Sequence, residues 1–275
     1  MEDIKPDVVH LHGNHGWAQY QYYAEVLRDK VDKLIFSPAG SSCGTPSFIS
    51  NFDYVIVNHP LQVGRIKCHD KDIEKIVVRR RAVNPDFFFP KYKETEFDFV
   101  YVAGFVPVKK IPDMIETVLY SSKKRRTLVI VGDFKRTREY HHNIKNFIIS
   151  LGEENRIILK DFMDQESFVD FLGRCGVFVW PNIKPENPET TTNRSIVEAL
   201  GCGMPLLLGE RAFKQTEFVD DNVNGLLFNS FESFGDLSEK IFENISKFRE
   251  GSVKLAKERF SYKENFIDFY NEIYS

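Results

Sequence analysis

The sequence is poor in the features that would settle a function quickly. Its four cysteines, Cys43, Cys68, Cys175 and Cys202, lie far apart with no paired spacing. That argues against both a disulfide framework and a zinc site, and favours a reducing compartment. No apolar run approaches the roughly 20 residues that span a bilayer, and Met1-Glu-Asp-Ile-Lys-Pro6 lacks the apolar core of a signal peptide. A cytoplasmic chain without a transmembrane segment is expected. Neither sign of charge dominates: the formal net charge is -3 and the pI about 6.2, so no overall field draws the chain to nucleic acid. Two short basic runs, Arg79-Arg80-Arg81 and Lys123-Lys124-Arg125-Arg126, read as solvated faces and leave room for peripheral contact with an anionic lipid surface. There is no internal repeat, no low-complexity segment and no Ser-His-Asp or Cys-His arrangement. Gly13 and Gly16 are too sparse for a dinucleotide fingerprint. Asp70-Lys-Asp72 has the spacing of a divalent-cation pair but reads as a polar helix start, so no metal ligands are assigned.

What is present is the pattern of an α/β protein. With 275 residues, 42% hydrophobic and 28% charged, the chain can bury one large core or two small ones. Asp7–His12, Asp32–Phe36, Phe52–Val57 and Lys75–Val78 read as strands of a first parallel sheet. Trp17, Tyr20, Tyr23, Ala24 and Leu27 form one apolar helical face between the first two. Asn84–Pro90 reads as a link. Beyond it Phe97–Gly104, Thr127–Asp133, Arg156–Leu159, Gly176–Pro181, Pro205–Leu208 and Gly225–Phe228 read as strands of a second, doubly wound sheet. Pro112 suits the first residue of a helix bearing Met114, Ile115, Val118 and Leu119. Phe234, Leu237, Ile241, Ile245 and Phe248 make one long helical stripe, and Phe266, Phe269, Tyr270 and Ile273 another.

The most informative stretch is Glu189–Pro205, ETTTNRSIVEALGCGMP. It follows a buried strand, so its loop sits at a strand's carboxyl end, where open α/β sheets bind ligands. The helix it begins has unpaired first-turn amides and a partial positive charge, which suits a phosphate. Ser195 with Glu198 three residues on fits a capping box, and Gly201 and Gly203 end the helix. Glu198 then has two readings: that cap, or a carboxylate accepting both hydroxyls of a ribose.

The run EALGCGMPLLLGE followed by EFVDDNVNGLLF resembles the C-terminal half of retaining GT-B glycosyltransferases, specifically glycosyltransferase family 4. The resemblance implies two Rossmann-like domains, the N-terminal one abbreviated: residues 1–90, then a nucleotide-sugar-binding domain over 91–260, then a C-terminal helix over 261–275 that crosses back. In that family two glutamates eight positions apart frame the loop, the second holding the ribose and the first the donor sugar's hydroxyls. Glu198 matches the second. Thr190 stands in the first position, so the role passes to Glu189 through a one-residue bulge. Asn193 stands where the family has glycine, and asparagine tolerates a left-handed backbone. The backbone of Thr190, Thr191, Thr192, Asn193, Arg194 and Ser195 is implied to meet the diphosphate. Gly104-Phe-Val-Pro-Val-Lys109 resembles the family's glycine, arginine and lysine phosphate motif, with Lys109 in the lysine's place and Phe105 in the arginine's. His12 matches a histidine that meets the donor sugar or phosphate. Gly132 and Asp133 fall near the nucleotide, and Phe162, within Lys160–Met163, near its base.

The resemblance thus implies transfer of a sugar, with retention, from a nucleotide diphosphate sugar to an unknown glycan, lipid or protein acceptor. His12, Glu189 and Lys109 take catalytic roles, and no metal or separate cofactor is involved. A partner or second copy could complete the short first domain. Two other readings stand beside it: a catalytically weak nucleotide- or glycan-binding subunit, and a GT-B nucleotide-sugar epimerase.

Overall fold

Short β-branched and aromatic runs bounded by Pro, Asn and Ser form the first sheet. In a computed structural model, which describes residues 6–13, 18–38, 45–135, 137–182, 193–214 and 216–275, β1 (Val8–Gly13), β2 (Lys33–Pro38), β3 (Tyr54–Val57) and β4 (Ile76–Val78) pair in parallel in the order β1-β2-β3-β4. They are joined through α1 (Ala18–Leu27), α2 (Pro46–Ile49), α3 (Pro60–Val63) and a 3₁₀ turn, Asp70–Lys75. Successive strand residues face opposite ways. Leu34, Phe36, Val55 and Val57 point to one side, where they meet Ala24, Phe48, Ile49 and Phe52. The Phe36 and Phe52 rings stack with centroids 5.2 Å apart. On α1 only Ala24 is buried, and Tyr23 is 46% exposed, so the expected aromatic face is only partly used as core. Asp72, 2% exposed, accepts from the Ser50 hydroxyl at 2.6 Å and pairs with Lys75 at 2.9 Å. It is a structural acid in that turn.

The second sheet has six parallel strands: β5 (Phe97–Val102), β6 (Leu128–Gly132), β7 (Ile157–Asp161), β8 (Cys175–Trp180), β9 (Leu206–Gly209) and β10 (Gly225–Phe228). Between and after them come α4 (Ile111–Ser121), α5 (Arg138–Leu151), α6 (Gln165–Leu172), α7 (Arg194–Gly201), α8 (Glu210–Phe213), α9 (Phe231–Glu243) and α10 (Ile245–Arg259). Every residue of β6, β8 and β9 is buried, as near-continuous apolar runs require when helices cover both faces. The strand order is β10-β9-β8-β5-β6-β7. The chain winds outward from β5 to β7, returns to β8 beside β5, and winds out the other way. That reversal opens a crevice at the carboxyl ends of β5 and β8. The stripe expected as one helix is two, because the chain breaks at Asn244, with φ -126° and ψ 29°. Gly203 holds φ +73° after α7, and an added Cβ there would fall 2.1 Å from the Tyr92 hydroxyl.

The last helix, α11 (Phe269–Tyr274), belongs with the first sheet: residues 6–82 and 262–275 form one compact unit, and 83–182 with 193–261 the other. Ile273 packs with Ile35 and Ile56, which face away from α2. Beside them His10 bonds Tyr274 Oη at 2.9 Å and Ser37 Oγ at 2.7 Å, while Arg79 donates to Tyr270 Oη at 3.0 Å. Burial pushes the His10 imidazole down to about 4, helped by the neighbouring His12 and Arg79 charges. In the second unit the basic run at 123–126 is answered by acids. Lys123 pairs with Asp236, Lys124 with Glu239 at 3.0 Å and Arg125 with Glu153 at 3.6 Å. Arg126 pairs with Asp98 at 2.8 Å and lies over the Phe242 ring at 3.8 Å.

Candidate functional site: a cleft at the strand-order reversal

The crevice that the second sheet's topology demands is a cleft of about 470 Å³. Its walls come from strand ends and one helix start: Val102, Ala103 and Gly104 after β5, Gly132 and Asp133 after β6, Phe162 and Met163 after β7, and Asn193, Arg194, Ser195 and Glu198 of α7. Phe88, Val131, Gln165 and Phe168 complete the lining. Its size lies in the usual range of small-molecule sites, roughly 300–1,000 Å³.

The helix start is fixed by a cap two residues before the one expected. Asn193 is the N-cap: its Oδ1 accepts from the Ser195 amide at 3.1 Å. Its backbone is extended, φ -72° and ψ 120°, so asparagine's tolerance of a left-handed backbone is not called on here. Ser195 is the second helical residue and buried. Its hydroxyl lies 2.8 Å from Asn193 Oδ1 and 3.1 Å from the Val102 carbonyl, with one proton to share between them. This ties the start of α7 to the end of β5. Because the helix begins earlier, Glu198 falls in its second turn, outside a capping box with Ser195, and lines the cleft half-buried. Arg194 and Glu198, four residues apart, share one helix face.

Two loops close the far end. The Asp161 carboxylate accepts from the Phe134 amide at 3.2 Å and the Phe162 amide at 2.8 Å. Those bonds hold its pKa below the usual carboxylate value. The Phe162 ring is 76% exposed at the mouth. Gly104 faces open space: a Cβ at this position would meet nothing within 4 Å, so its missing side chain is vacant volume in the cleft. Gly132 is bare for another reason: a Cβ would meet the Ala103 carbonyl at 2.3 Å.

The expected residues therefore divide. Gly104, Gly132, Asp133, Phe162, Asn193, Arg194, Ser195 and Glu198 converge on the cleft. Lys109 is outside its lining, half-buried with Nζ 5.3 Å from the Trp180 ring centroid. His12 lies in β1 of the first unit, exposed, its carbonyl accepting from the Tyr20 hydroxyl at 2.9 Å. Glu189, Thr190, Thr191 and Thr192 lie outside the described residues. Phe105 is core, 1% exposed, its ring edge-on to Phe134 at 4.9 Å. Met163 ends the stretch expected near the base, whereas Phe88 and Phe168 were not singled out from the sequence, and no motif marks them. Only the fold gathers these apolar side chains. Cys68, Cys175 and Cys202 are free thiols, and burial pushes Cys202 up to about 12, so none is a poised nucleophile. Among the described residues no group of His, Cys, Asp and Glu is placed to hold a metal ion, and no helix is long and apolar enough to cross a membrane.

Two Rossmann-like parallel sheets, the second with a capped helix start and a carboxylate at its strand-order reversal, define a GT-B-like α/β fold. Residues 84–259, more than half of the sequence, match the family described as Glycosyl transferases group 1, and the chain belongs to it. With that family comes the coarse activity, glycosyl transfer from a nucleotide-sugar donor. Among solved structures, a glycosyltransferase from Rickettsia africae ESF-5 is similar with TM-score 0.74 and 17% identity, over 98% of this chain and 77% of that one. Anabaena Alr3699/HepE in complex with UDP gives TM-score 0.76 and 14% identity, over 96% and 78%. Sucrose-phosphate synthase from Thermosynechococcus elongatus gives 0.72 and 14%, over 98% and 74%. At these identities the likeness is one of fold. A comparison with the sequences of curated proteins finds no match.

Proposed function

We propose that this chain is a retaining glycosyltransferase of the family 4 type, moving a sugar from a nucleotide diphosphate sugar to a glycan, lipid or protein acceptor without a metal or separate cofactor. The observation that carries the reading is Glu198, in the second turn of a capped helix that opens on the strand-order reversal. A carboxylate there can accept both ribose hydroxyls while the helix start meets the diphosphate. Phe162, Phe88 and Phe168 offer apolar faces to the base. The bond from the anomeric carbon to the diphosphate breaks with its electron pair leaving on the phosphate oxygen, while the acceptor's oxygen bonds that carbon and gives its proton to the departing diphosphate, so holding that leaving group is the main catalytic task. Lys109, Glu189 and His12 keep their assigned roles toward phosphate and sugar on the resemblance alone. The chain works in the cytoplasm.

A second reading has a specific observation behind it. Phe105, where the resemblance places a cation, is buried among aromatics, which favours a subunit that binds donor with little turnover. A radiolabelled donor panel with a mixed acceptor pool separates the two. Labelled product with the donor's anomeric configuration, lost in Glu198→Ala, supports the transferase. Donor binding with no product transfers the assignment to the subunit, and free epimer released without acceptor to an epimerase.

A further inference from the structure

Charge in the cleft is unbalanced for the ligand proposed above. A nucleoside diphosphate brings at least two negative charges, and the lining adds the carboxylates of Asp133 and Glu198. Among the described lining residues the one cation is Arg194. It is the first residue of α7 and exposed, and no hydrogen bond or ion pair joins its side chain to another described residue. Two nearby lysines lie outside the lining: Lys109 lies over Trp180, and Lys160 sits 5.7 Å from the rings of Phe97 and Phe171. A guanidinium presents a planar fork of donors that matches phosphate oxygens two at a time. One turn separates Arg194 from Glu198 on the same face. Read toward the helix start, carboxylate then guanidinium, their order follows a nucleotide's own order of ribose then phosphates.

We infer that Arg194 is a diphosphate-holding cation of this chain, supplying from α7 the positive charge that position 105, with Phe105 turned into the core, does not bring to the cleft. The assignment rests on the donor-site reading, and the test keeps the two apart. Affinities of uridine, guanosine and adenosine diphosphates for the wild-type chain are measured by calorimetry, and the nucleoside of the preferred base by ligand-observed NMR. Arg194→Gln should weaken the preferred diphosphate by roughly tenfold to a hundredfold, the range of a lost charge-assisted contact, and leave the nucleoside unchanged. Its apo melting temperature should equal wild type, because Arg194 is exposed. Arg194→Lys should restore part of the diphosphate affinity, and the salt dependence of binding should flatten only in the Gln variant. Equal diphosphate affinity in wild type and Arg194→Gln overturns the assignment while sparing the donor site, as does an equal loss for nucleoside and diphosphate. A wild-type chain that binds none of the three diphosphates overturns both.

Discussion

The two units are built from the same strand-and-helix alternation but differ in how fully their sheets are covered. In the second, three whole strands are buried and helices close both faces. In the first, β1 and β4 are mostly half-buried, and the face bearing Ile35 and Ile56 is closed by the chain's last turns through Ile273. The larger core carries the cleft, where polar groups at strand ends and a helix start face open volume. The smaller one carries a polar network, His10, Ser37, Arg79, Tyr270 and Tyr274, where apolar packing would otherwise be. Buried apolar area is the main source of stability, so the first unit should be the weaker and the more dependent on single contacts.

The sharpest test of that contrast is Ile273→Ala. With Ile273 only 6% exposed, truncation should cost roughly 2–5 kcal/mol, and hydrogen exchange should show the loss in β1–β4 while β5–β10 keep their protection. Comparable loss in both units would erase the distinction. Next, a bound nucleoside diphosphate at a hundred times its Kd should stabilise the second unit by about 2.7 kcal/mol. Glu198→Ala should abolish that gain in a thermal-shift assay. Gly203→Ala should destabilise the second unit by about 1–2 kcal/mol, since a side chain is forced into the left-handed region and its Cβ presses on Tyr92; urea unfolding measures it. A pH-dependent effect belongs to His10. The folded chain resists protonating it down to about 4, whereas the unfolded imidazole titrates near 6.5. The unfolded state therefore binds more protons between those values, stability rises with pH across the window, and the first unit loosens as pH falls below 6.5. In His10→Gln the pH dependence of first-unit exchange over that window should flatten.

Much of this could be read before any coordinates. Strands such as Gly176–Pro181 and Thr127–Asp133 announce themselves as unbroken apolar runs, and the placement of Glu198 after a strand and within a helix start followed from local pattern. What could not be read depends on partners far away in sequence. Asn193 rather than Ser195 caps α7 because the Ser195 hydroxyl turns to Val102, 93 residues earlier. A window around residue 195 contains no sign of that. Phe105 reads as a lost cation in its own motif, but Phe134 and His141 surround it only once β6 and α5 are in place. The basic run at 123–126 looks like a surface patch until α9 supplies Asp236 and Glu239. Tyr23 fits a helical stripe, yet the helix buries only Ala24.

Asp161 readies the cleft before any ligand arrives. It stitches the peptide after β6 to the peptide after β7, so the rim that would receive a base is shaped in advance and little ordering is left for the moment of capture. That stitch is strongest while the acid is ionised, because a charged acceptor makes the stronger bond. Acidification through its depressed pKa weakens both bonds at once.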